Sequence, residues 1–297
     1  MLARIQQALL LALLAAVIAC QVYLGDRYPW LAAGVAALLP LGLGGVLALE
    51  FVLLTVVNRG DTAPQPTYKQ LARAWWGEIL AAVRAFGWRQ PFRSQALPDQ
   101  LPLAGVVTGQ RGVVFIHGLL CNRGLWNPWL ARLQDSSHAF IALSLEPVLG
   151  SIDDYVPAID AAVTRMTLAT GLSPLVVCHS MGGLAARAWL KTMRAEQRVH
   201  RIVTIGTPHA GTWLARFGYG DNSQQMRLLS DWQTQLAHGM LPDSNALFVC
   251  WYSSCDNIVF PTTNATLPGA DNRFVPGAAH VQLAFEAQVM DGTLALL

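Results

Sequence analysis

Charged residues are scarce in this chain. Lys, Arg, Asp and Glu make up 13% of its 297 residues, roughly half the share found in ordinary soluble domains. The formal net charge is only +2, and no stretch combines clustered basic residues with interleaved aromatics. A nucleic-acid partner is therefore not expected.

Cysteine is also sparse and irregularly spaced. The five cysteines form no CxxC pair, so the spacing of a zinc site is missing and we expect no metal. An odd count without a regular framework argues against a disulfide scaffold. Cys250 and Cys255 could approach one another in an oxidising compartment, but free thiols are the prediction.

What the chain has in excess is apolar sequence, at 53% hydrophobic residues, and much of it lies at the N-terminus. Every residue from Ala8 to Cys20 is apolar, and Trp30 to Leu49 is a run of twenty residues without a charge. As a helix the second run spans ~30 Å, the thickness of the bilayer hydrocarbon. The prediction is a region 1–57 with two transmembrane helices, at about 5–24 and 30–57.

The orientation of this hairpin follows from the flanking charges. Arg4 precedes the first helix, and Arg59, Lys69 and Arg73 follow the second. The positive-inside rule then places the large C-terminal part on the cytoplasmic side of the membrane. The alternative is that the first run is a signal peptide ending at a lipoprotein-like site at Cys20, which would export the remainder. The second helix would anchor the protein in either case.

Residues 58–104 form a predicted linker that contains a basic amphipathic helix. Asn58 to Thr67 is polar and contains proline, and Tyr68 to Gln90 has helical periodicity. Such a helix suits either the membrane surface or the surface of the following domain, and the sequence leaves both interpretations open. Its apolar face comprises Leu71, Trp75, Ile79, Ala82 and Phe86.

Residues 105–297 alternate between short β-branched runs and helical segments. This order predicts a mostly parallel sheet with helices on both faces, and ligands bind such sheets at the carboxyl ends of the strands. The predicted strands are Val113 to Ile116, Phe140 to Leu145, Leu175 to Val177, His200 to Ile205, Ala246 to Tyr252 and Arg273 to Val275. A helix over Gln224 to Leu236, inside an irregular segment, and a closing helix over Val281 to Met290 are also predicted.

The most informative stretch joins the third strand to an alanine-rich helix. It reads Cys178-His179-Ser180-Met181-Gly182-Gly183. A serine on such a turn is a nucleophile elbow, and small residues two places away on each side let neighbouring backbone approach. The simpler interpretation, that Ser180 only caps the helix, stays open on this stretch alone.

The loop after the first predicted strand supplies a second element of such a site. His117 and Gly118 follow that strand directly. In hydrolases with an elbow, one oxyanion amide follows the nucleophile and the other belongs to this upstream loop. The predicted oxyanion donors are the backbone amides of Leu119 and Met181.

An elbow serine needs a base and an orienting carboxylate, in the chain order serine, acid, histidine. Among the later histidines, only His280 follows the last strand and precedes the last helix, so it is the predicted base. Asp256 follows a strand by four residues and is the predicted acid, with Asp271 as the weaker candidate.

Five short segments carry the residues discussed above and the turns that accompany them: Val114 to Gly118, His179 to Gly183, Gly206 to Thr212, Ser253 to Val259 and His280 to Leu283. In this order they resemble small bacterial triacylglycerol lipases and esterases of the α/β-hydrolase superfamily. The resemblance covers about Val106 to the C-terminus and implies Ser180, Asp256 and His280 as a catalytic triad. We also expect His117, Gly118, His179, Pro208 and His209 in the substrate pocket.

The resulting expectation is a membrane-anchored serine ester hydrolase that acts on a lipid or small acyl ester and requires no cofactor. The predicted location is the bacterial inner membrane, with the catalytic domain on the cytoplasmic side or, in the alternative, exported and membrane-anchored. The same triad would serve a thioesterase, a peptidase or an acyltransferase. From a different class, the domain could be a non-catalytic binding module of the same fold.

Overall fold

The computed structural model describes residues 1–103, 109–136 and 138–297. The predicted start of the catalytic domain, at 105, lies outside the described residues. The described α-helices are α1 (Leu2–Leu24), α2 (Pro29–Val57), α3 (Tyr68–Arg84), α4 (Gln90–Phe92), α5 (Asn127–Asp135), α6 (Val156–Thr170), α7 (Met181–Met193), α8 (Asp221–Gln225), α9 (Asp231–Gly239), α10 (His280–Leu283) and α11 (Ala287–Leu294).

A parallel sheet lies at the centre of the C-terminal part. Its order, in the described part of the chain, is β2-β1-β3-β4-β5-β6, and every neighbouring pair is parallel. The predicted parallel sheet with helices on both faces is confirmed. The strands are β1 (Val113–Ile116), β2 (Phe140–Ala142), β3 (Leu175–His179), β4 (Arg201–Ile205), β5 (Phe248–Tyr252) and β6 (Asp271–Phe274).

Both faces of the sheet are buried, which explains why its strands are runs of apolar residues rather than alternating ones. Alternate residues of β1 enter the two cores. Val114 and Ile116 pack with α6 and α7, and Val113 and Phe115 pack with α5 and α11. The second core contains a fully buried aromatic cluster in which the Phe115 and Trp126 ring centroids are 4.9 Å apart.

The two apolar N-terminal runs are helices, each long and apolar enough to cross a membrane on length and composition. They are therefore compatible with the predicted hairpin. The 29 residues of α2 extend about 43 Å, about 13 Å more than the hydrocarbon thickness. The last turns of α2 pack on the rest of the chain, where Phe51 and Leu54 are buried against Ala74, Cys255 and Phe260. These turns account for the extra length.

The open end of the hairpin, where α1 begins and α2 ends, contacts two separate loops of the sheet. Near the start of α1, Gln6 Nε2 donates to the carbonyl of Leu120, in the loop after β1, at 3.3 Å. Just after α2, Asn58 Nδ2 donates to Thr262 Oγ1 at 2.8 Å, in the segment that follows β5. The carboxyl edge of the sheet therefore lies between the two ends of the hairpin.

The linker helix α3 packs on the C-terminal part as well as along α2. Thr67 caps it, because Gln70 N donates to Thr67 Oγ1. Ala74, Glu78 and Ala81 are buried at helical spacing, on the stripe next to the predicted apolar face, whose residues are half-buried. Trp75 Nε1 donates to the Gly44 carbonyl of α2 at 2.9 Å. A glutamate at the centre of the buried face was not expected.

Two predicted helices are interrupted. The helix predicted over Gln224 to Leu236 is wrong: α8 ends at Gln225 and α9 begins at Asp231. Leu229 has a φ of 56°, which a helix cannot continue through, and Ser230 Oγ accepts from Gln233 N to start α9. The closing helix is likewise divided into α10 and α11 by the extended backbone of Glu286.

Candidate active site

Ser180 lies between β3 and α7 with φ 55° and ψ −129°. This region of backbone conformation is costly for a non-glycine residue and is held only by its surroundings. Ser180 N donates to the Ile205 carbonyl at 2.9 Å, and Thr207 Oγ1 donates to the Ser180 carbonyl at 2.8 Å. The strained turn at Ser180 is therefore fixed from the neighbouring strand β4.

The loop after β1 approaches this turn closely at Gly118. A Cβ on Gly118 would lie 2.7 Å from Ser180 Cβ and 3.3 Å from Ser180 Oγ. The loops that carry the amides of Leu119 and Met181 therefore meet at the serine. Met181 is the first residue of α7, where a backbone N–H has no acceptor within the helix.

The predicted acid and base form a buried pair. His280 Nδ1 lies 2.9 Å from Asp256 Oδ1 and 3.0 Å from Oδ2. Asp256 Oδ1 also accepts from the backbone amides of Ile258 and Val259 at 3.0 and 2.8 Å. Because Nδ1–H donates to the carboxylate, Nε2 is the ring nitrogen left to accept a proton. The side chain of the other candidate acid, Asp271, is 52% exposed and forms an ion pair with Arg273.

Gly206 connects this pair to the serine turn. It follows Ile205, whose carbonyl accepts from Ser180 N. A Cβ on Gly206 would lie 2.8 Å from Asp256 Oδ2 and 3.2 Å from His280 Nδ1. Ser180, Asp256 and His280 are thus brought to one edge of the sheet, with exposures of 8%, 1% and 5%.

The His280 ring is surrounded by charges of one sign. Burial by itself lowers the pKa of His280, but the Asp256 charge and hydrogen bond, together with the charges of Glu78 and Glu50, outweigh it. The net effect is that the pKa of His280 is raised above its ordinary 6.5. The neighbouring ring of His179 is neutral, because burial and the His280 charge lower its pKa to about 3.

His179, a predicted pocket residue, contacts both the backbone and the ring of the predicted base. Its Nε2 lies 3.1 Å from the His280 carbonyl, and the two ring centroids are 4.7 Å apart. Since His179 is neutral, Nε2–H donates to that carbonyl. The contact places His179 beside the predicted base rather than at an open surface.

The other predicted pocket histidines are held by the fold. His117 Nε2 accepts from the Leu145 amide at 3.0 Å, and Nδ1 donates to the Gly118 carbonyl at 2.8 Å. Burial lowers the pKa of His117 to about 4, so it is neutral. The ring of His209 faces the sheet, with Nε2 3.0 Å from Thr204 Oγ1. Both rings fix loops, and Pro208 is buried next to His209.

Three side chains that the sequence did not single out touch the predicted base and acid loops. Asn257 Oδ1 accepts from the His280 backbone amide at 3.1 Å, and Asn257 Nδ2 donates to Glu50 at 2.6 Å. Glu78 accepts from the two amides that follow His280. The sequence offers a signal for Glu50, since an isolated charge at the end of an apolar run often has a functional role. It offers no such signal for Glu78.

The parallel sheet, the strained serine after its third strand and the buried Asp–His pair define an α/β-hydrolase fold that resembles lipases and esterases. A family model described as a PGAP1-like alpha/beta domain matches residues 155–263. That range includes Ser180 and Asp256 and ends before His280. No curated protein matches the chain in sequence.

Solved structures of two lipases share the fold. The mature form of Bacillus licheniformis lipase BlEst2 superposes with a TM-score of 0.57 at 17% identity, over 66% of this chain and 95% of that one. Aspergillus fumigatus lipase B superposes with a TM-score of 0.55 at 16% identity, over 66% of this chain and 55% of the lipase. At these identities the comparison establishes the architecture.

Gly206→Ala should damage the site beyond its effect on stability. The left-handed φ of 57° costs an alanine about 1–2 kcal/mol, and the new Cβ would press on Asp256 and His280. We expect kcat for p-nitrophenyl butyrate to fall by about 100-fold, because small displacements of reacting groups have such effects. Thermal unfolding and initial-rate kinetics would measure the two effects.

The matched control is Gly269→Ala. Gly269 also has a left-handed φ, of 80°, but a Cβ there meets nothing within 4 Å. This variant should lose a similar amount of stability and keep its activity. Equal kcat values for the two alanine variants would contradict the close approach at Gly206.

Proposed function

We propose that this chain is a membrane-anchored serine ester hydrolase that cleaves acyl esters of lipids. The observation that carries the proposal is the Ser180 elbow, at φ 55°, beside the buried Asp256–His280 pair. Such a constellation is recognised by its geometry and roles.

In the proposed mechanism, Ser180 Oγ attacks the ester carbonyl and His280 Nε2 takes the serine proton. The amides of Leu119 and Met181 stabilise the oxyanion, and His280 returns the proton to the leaving alcohol. Water then attacks the acyl carbonyl, with His280 Nε2 taking its proton; the bond from Ser180 Oγ to the acyl carbon breaks, His280 returns the proton to Oγ, and the carboxylic acid leaves. Asp256 orients the ring and stabilises its charged form.

The preference for lipid esters is supported by the position of the hairpin. Its two ends contact the loops on either side of the serine, at Leu120 and at Thr262. The outer side of α3 adds exposed apolar side chains, Trp76, Leu80 and Val83, which suit the membrane interface. With α1 and α2 in the bilayer, the site would face the lipid headgroups. The flanking basic residues favour the cytoplasmic side.

The proposal is tested on the full-length protein in detergent micelles and in phospholipid vesicles. We expect one equivalent of a fluorophosphonate probe to label the protein, and acid release from p-nitrophenyl butyrate and from long-chain acylglycerols. Vesicle-borne substrates should be favoured over soluble ones of equal chain length. A folded protein that is neither labelled nor active on any of these esters would favour the binding-module alternative.

A further inference from the structure

Glu78 of α3 is a buried carboxylate that the mechanism above does not use. It is 2% exposed. In the described part of the chain its hydrogen-bond donors are backbone amides, and no Lys or Arg forms an ion pair with it. Burial raises the pKa of Glu78 to about 7, although the amides of Gln282 and Val281 and the His280 charge oppose that rise. Burying a carboxylate is costly unless it is well hydrogen-bonded. Because the hydrogen bonds of Glu78 must offset that cost, the groups that donate them indicate the role of this residue.

Those partners belong to the turn that begins with His280. Val281 N donates to Glu78 Oε1 and Oε2 at 2.9 and 3.0 Å, and Gln282 N donates to Oε2 at 2.9 Å. The two segments come together at Gly77, where a Cβ would collide with the Gln282 side chain. A carboxylate that accepts charge-assisted bonds from adjacent amides fixes their orientation more strongly than a neutral acceptor would.

The turn is too short to define its own position. α10 has four residues, which is about one helical turn, and isolated helices of that length do not persist. External contacts must therefore hold His280 in place. Glu78 holds the two amides after it, and Asn257 Oδ1 accepts from the amide of His280 itself.

A second carboxylate from the N-terminal helices supports the same turn. Asn257 Nδ2 donates to Glu50 Oε2 of α2 at 2.6 Å. This bond fixes the Asn257 amide so that its oxygen faces His280. The backbone of the predicted base is thus held on one side by α3 and on the other by α2, both more than 200 residues away along the chain.

We propose that Glu78, together with the Glu50–Asn257 pair, is a positioning residue for His280, so that the N-terminal helices complete the active site. The inference rests on the proposed role of His280 as the base. The titratable groups around the ring are Asp256, Glu78, Glu50 and His179. The carboxylates favour the charged ring that forms when His280 takes the serine proton.

The test compares Glu78→Gln, Glu78→Asp and Asp291→Asn in the full-length protein in detergent micelles. Asp291 is the control, since its exposed carboxylate pairs with Arg132 and forms no bond to the His280 turn in the described part of the chain. We expect Glu78→Gln to lower kcat for p-nitrophenyl butyrate by about 10- to 100-fold, with a smaller effect on KM. Glu78→Asp should recover part of the loss, and Asp291→Asn should match the wild type.

The pH profile distinguishes an effect on His280 from a general loss of folding stability. His280 must be neutral to act as a base, so activity rises as pH rises through its pKa. Loss of the Glu78 charge lowers the pKa of His280, and the acidic limb of kcat/KM should move to lower pH. Glu50→Gln can still accept from Asn257 and should shift the limb in the same direction. An unchanged limb in both variants would overturn the proposal.

The His280 titration can also be followed without turnover. Protein labelled with ¹³C in its histidines, with His280→Gln to identify the resonance, reports the ring pKa directly. A downward shift in Glu78→Gln supports the inference even if no ester is hydrolysed, and the absence of a shift contradicts it. If Glu78→Gln does not fold, Glu50→Gln gives the same two readings, since it removes the other charge that raises the pKa of His280. Activity that survives Ser180→Ala, by contrast, refutes only the proposed function.

Discussion

Ser180→Ala should lower kcat/KM for p-nitrophenyl butyrate by about a millionfold, the scale seen when an activated serine is removed from a triad enzyme. The alanine keeps the Cβ and the strained turn, but no oxygen remains to attack the carbonyl or to form an acyl-enzyme. Fluorophosphonate labelling should disappear with the activity. Hydrolysis rates and intact-protein mass spectrometry would measure both.

Ser173→Ala is the control for this variant. Ser173 precedes the same strand, at the opposite end from Ser180, where its hydroxyl donates to the Gln197 carbonyl. It should keep the activity and labelling of the wild type. If the two serine variants hydrolyse the ester equally, the elbow is not the reacting centre and the proposed function fails.

Asp256→Asn should lower kcat by about 10⁴-fold, which corresponds to about 5 kcal/mol of barrier. The asparagine oxygen can keep the bonds from the Ile258 and Val259 amides. Its NH₂ group then faces His280 Nδ1 and makes that nitrogen an acceptor. The proton moves to Nε2, and the ring can no longer accept one from Ser180.

The acid that competed with Asp256 in the sequence provides the control. Asp271→Asn removes an exposed carboxylate paired with Arg273, and exposed ion pairs contribute little to stability. It should leave kcat and Tm near wild-type values. A greater loss in Asp271→Asn than in Asp256→Asn would reverse the assignment of the acid.

Cys178 occupies the position two residues before the elbow serine, where glycine is usual, and the structure shows why the thiol fits. Its side chain is fully buried in the core that contains α6 and α7. On the other side of the serine, Gly182 is needed because a Cβ there would collide with the Ile116 carbonyl. The two flanking positions therefore face different constraints, and only the second demands glycine.

Local patterns in the sequence determined the sheet and the elbow. Apolar β-branched runs such as Val113 to Ile116, in alternation with helical segments, are typical of a parallel sheet buried on both faces. A serine between such a strand and the following helix lies at the carboxyl edge of that sheet. These inferences depend on nearby residues, and the sheet is confirmed. The chain order of Ser180, Asp256 and His280 served to select the acid and the base, whose catalytic roles belong to the proposed function.

Tertiary contacts decided what short-range patterns cannot encode. The packing of α3 depends on α10, which is about 200 residues away, so periodicity alone did not identify Ala74, Glu78 and Ala81 as its most buried residues. By its sequence Glu78 resembles an ordinary surface acid in a basic helix, and only the folded chain shows that the amides of Val281 and Gln282 are its partners. Hydrogen bonds between distant segments leave no spacing in the sequence, and for that reason the support of His280 by the N-terminal helices emerged only from the folded chain.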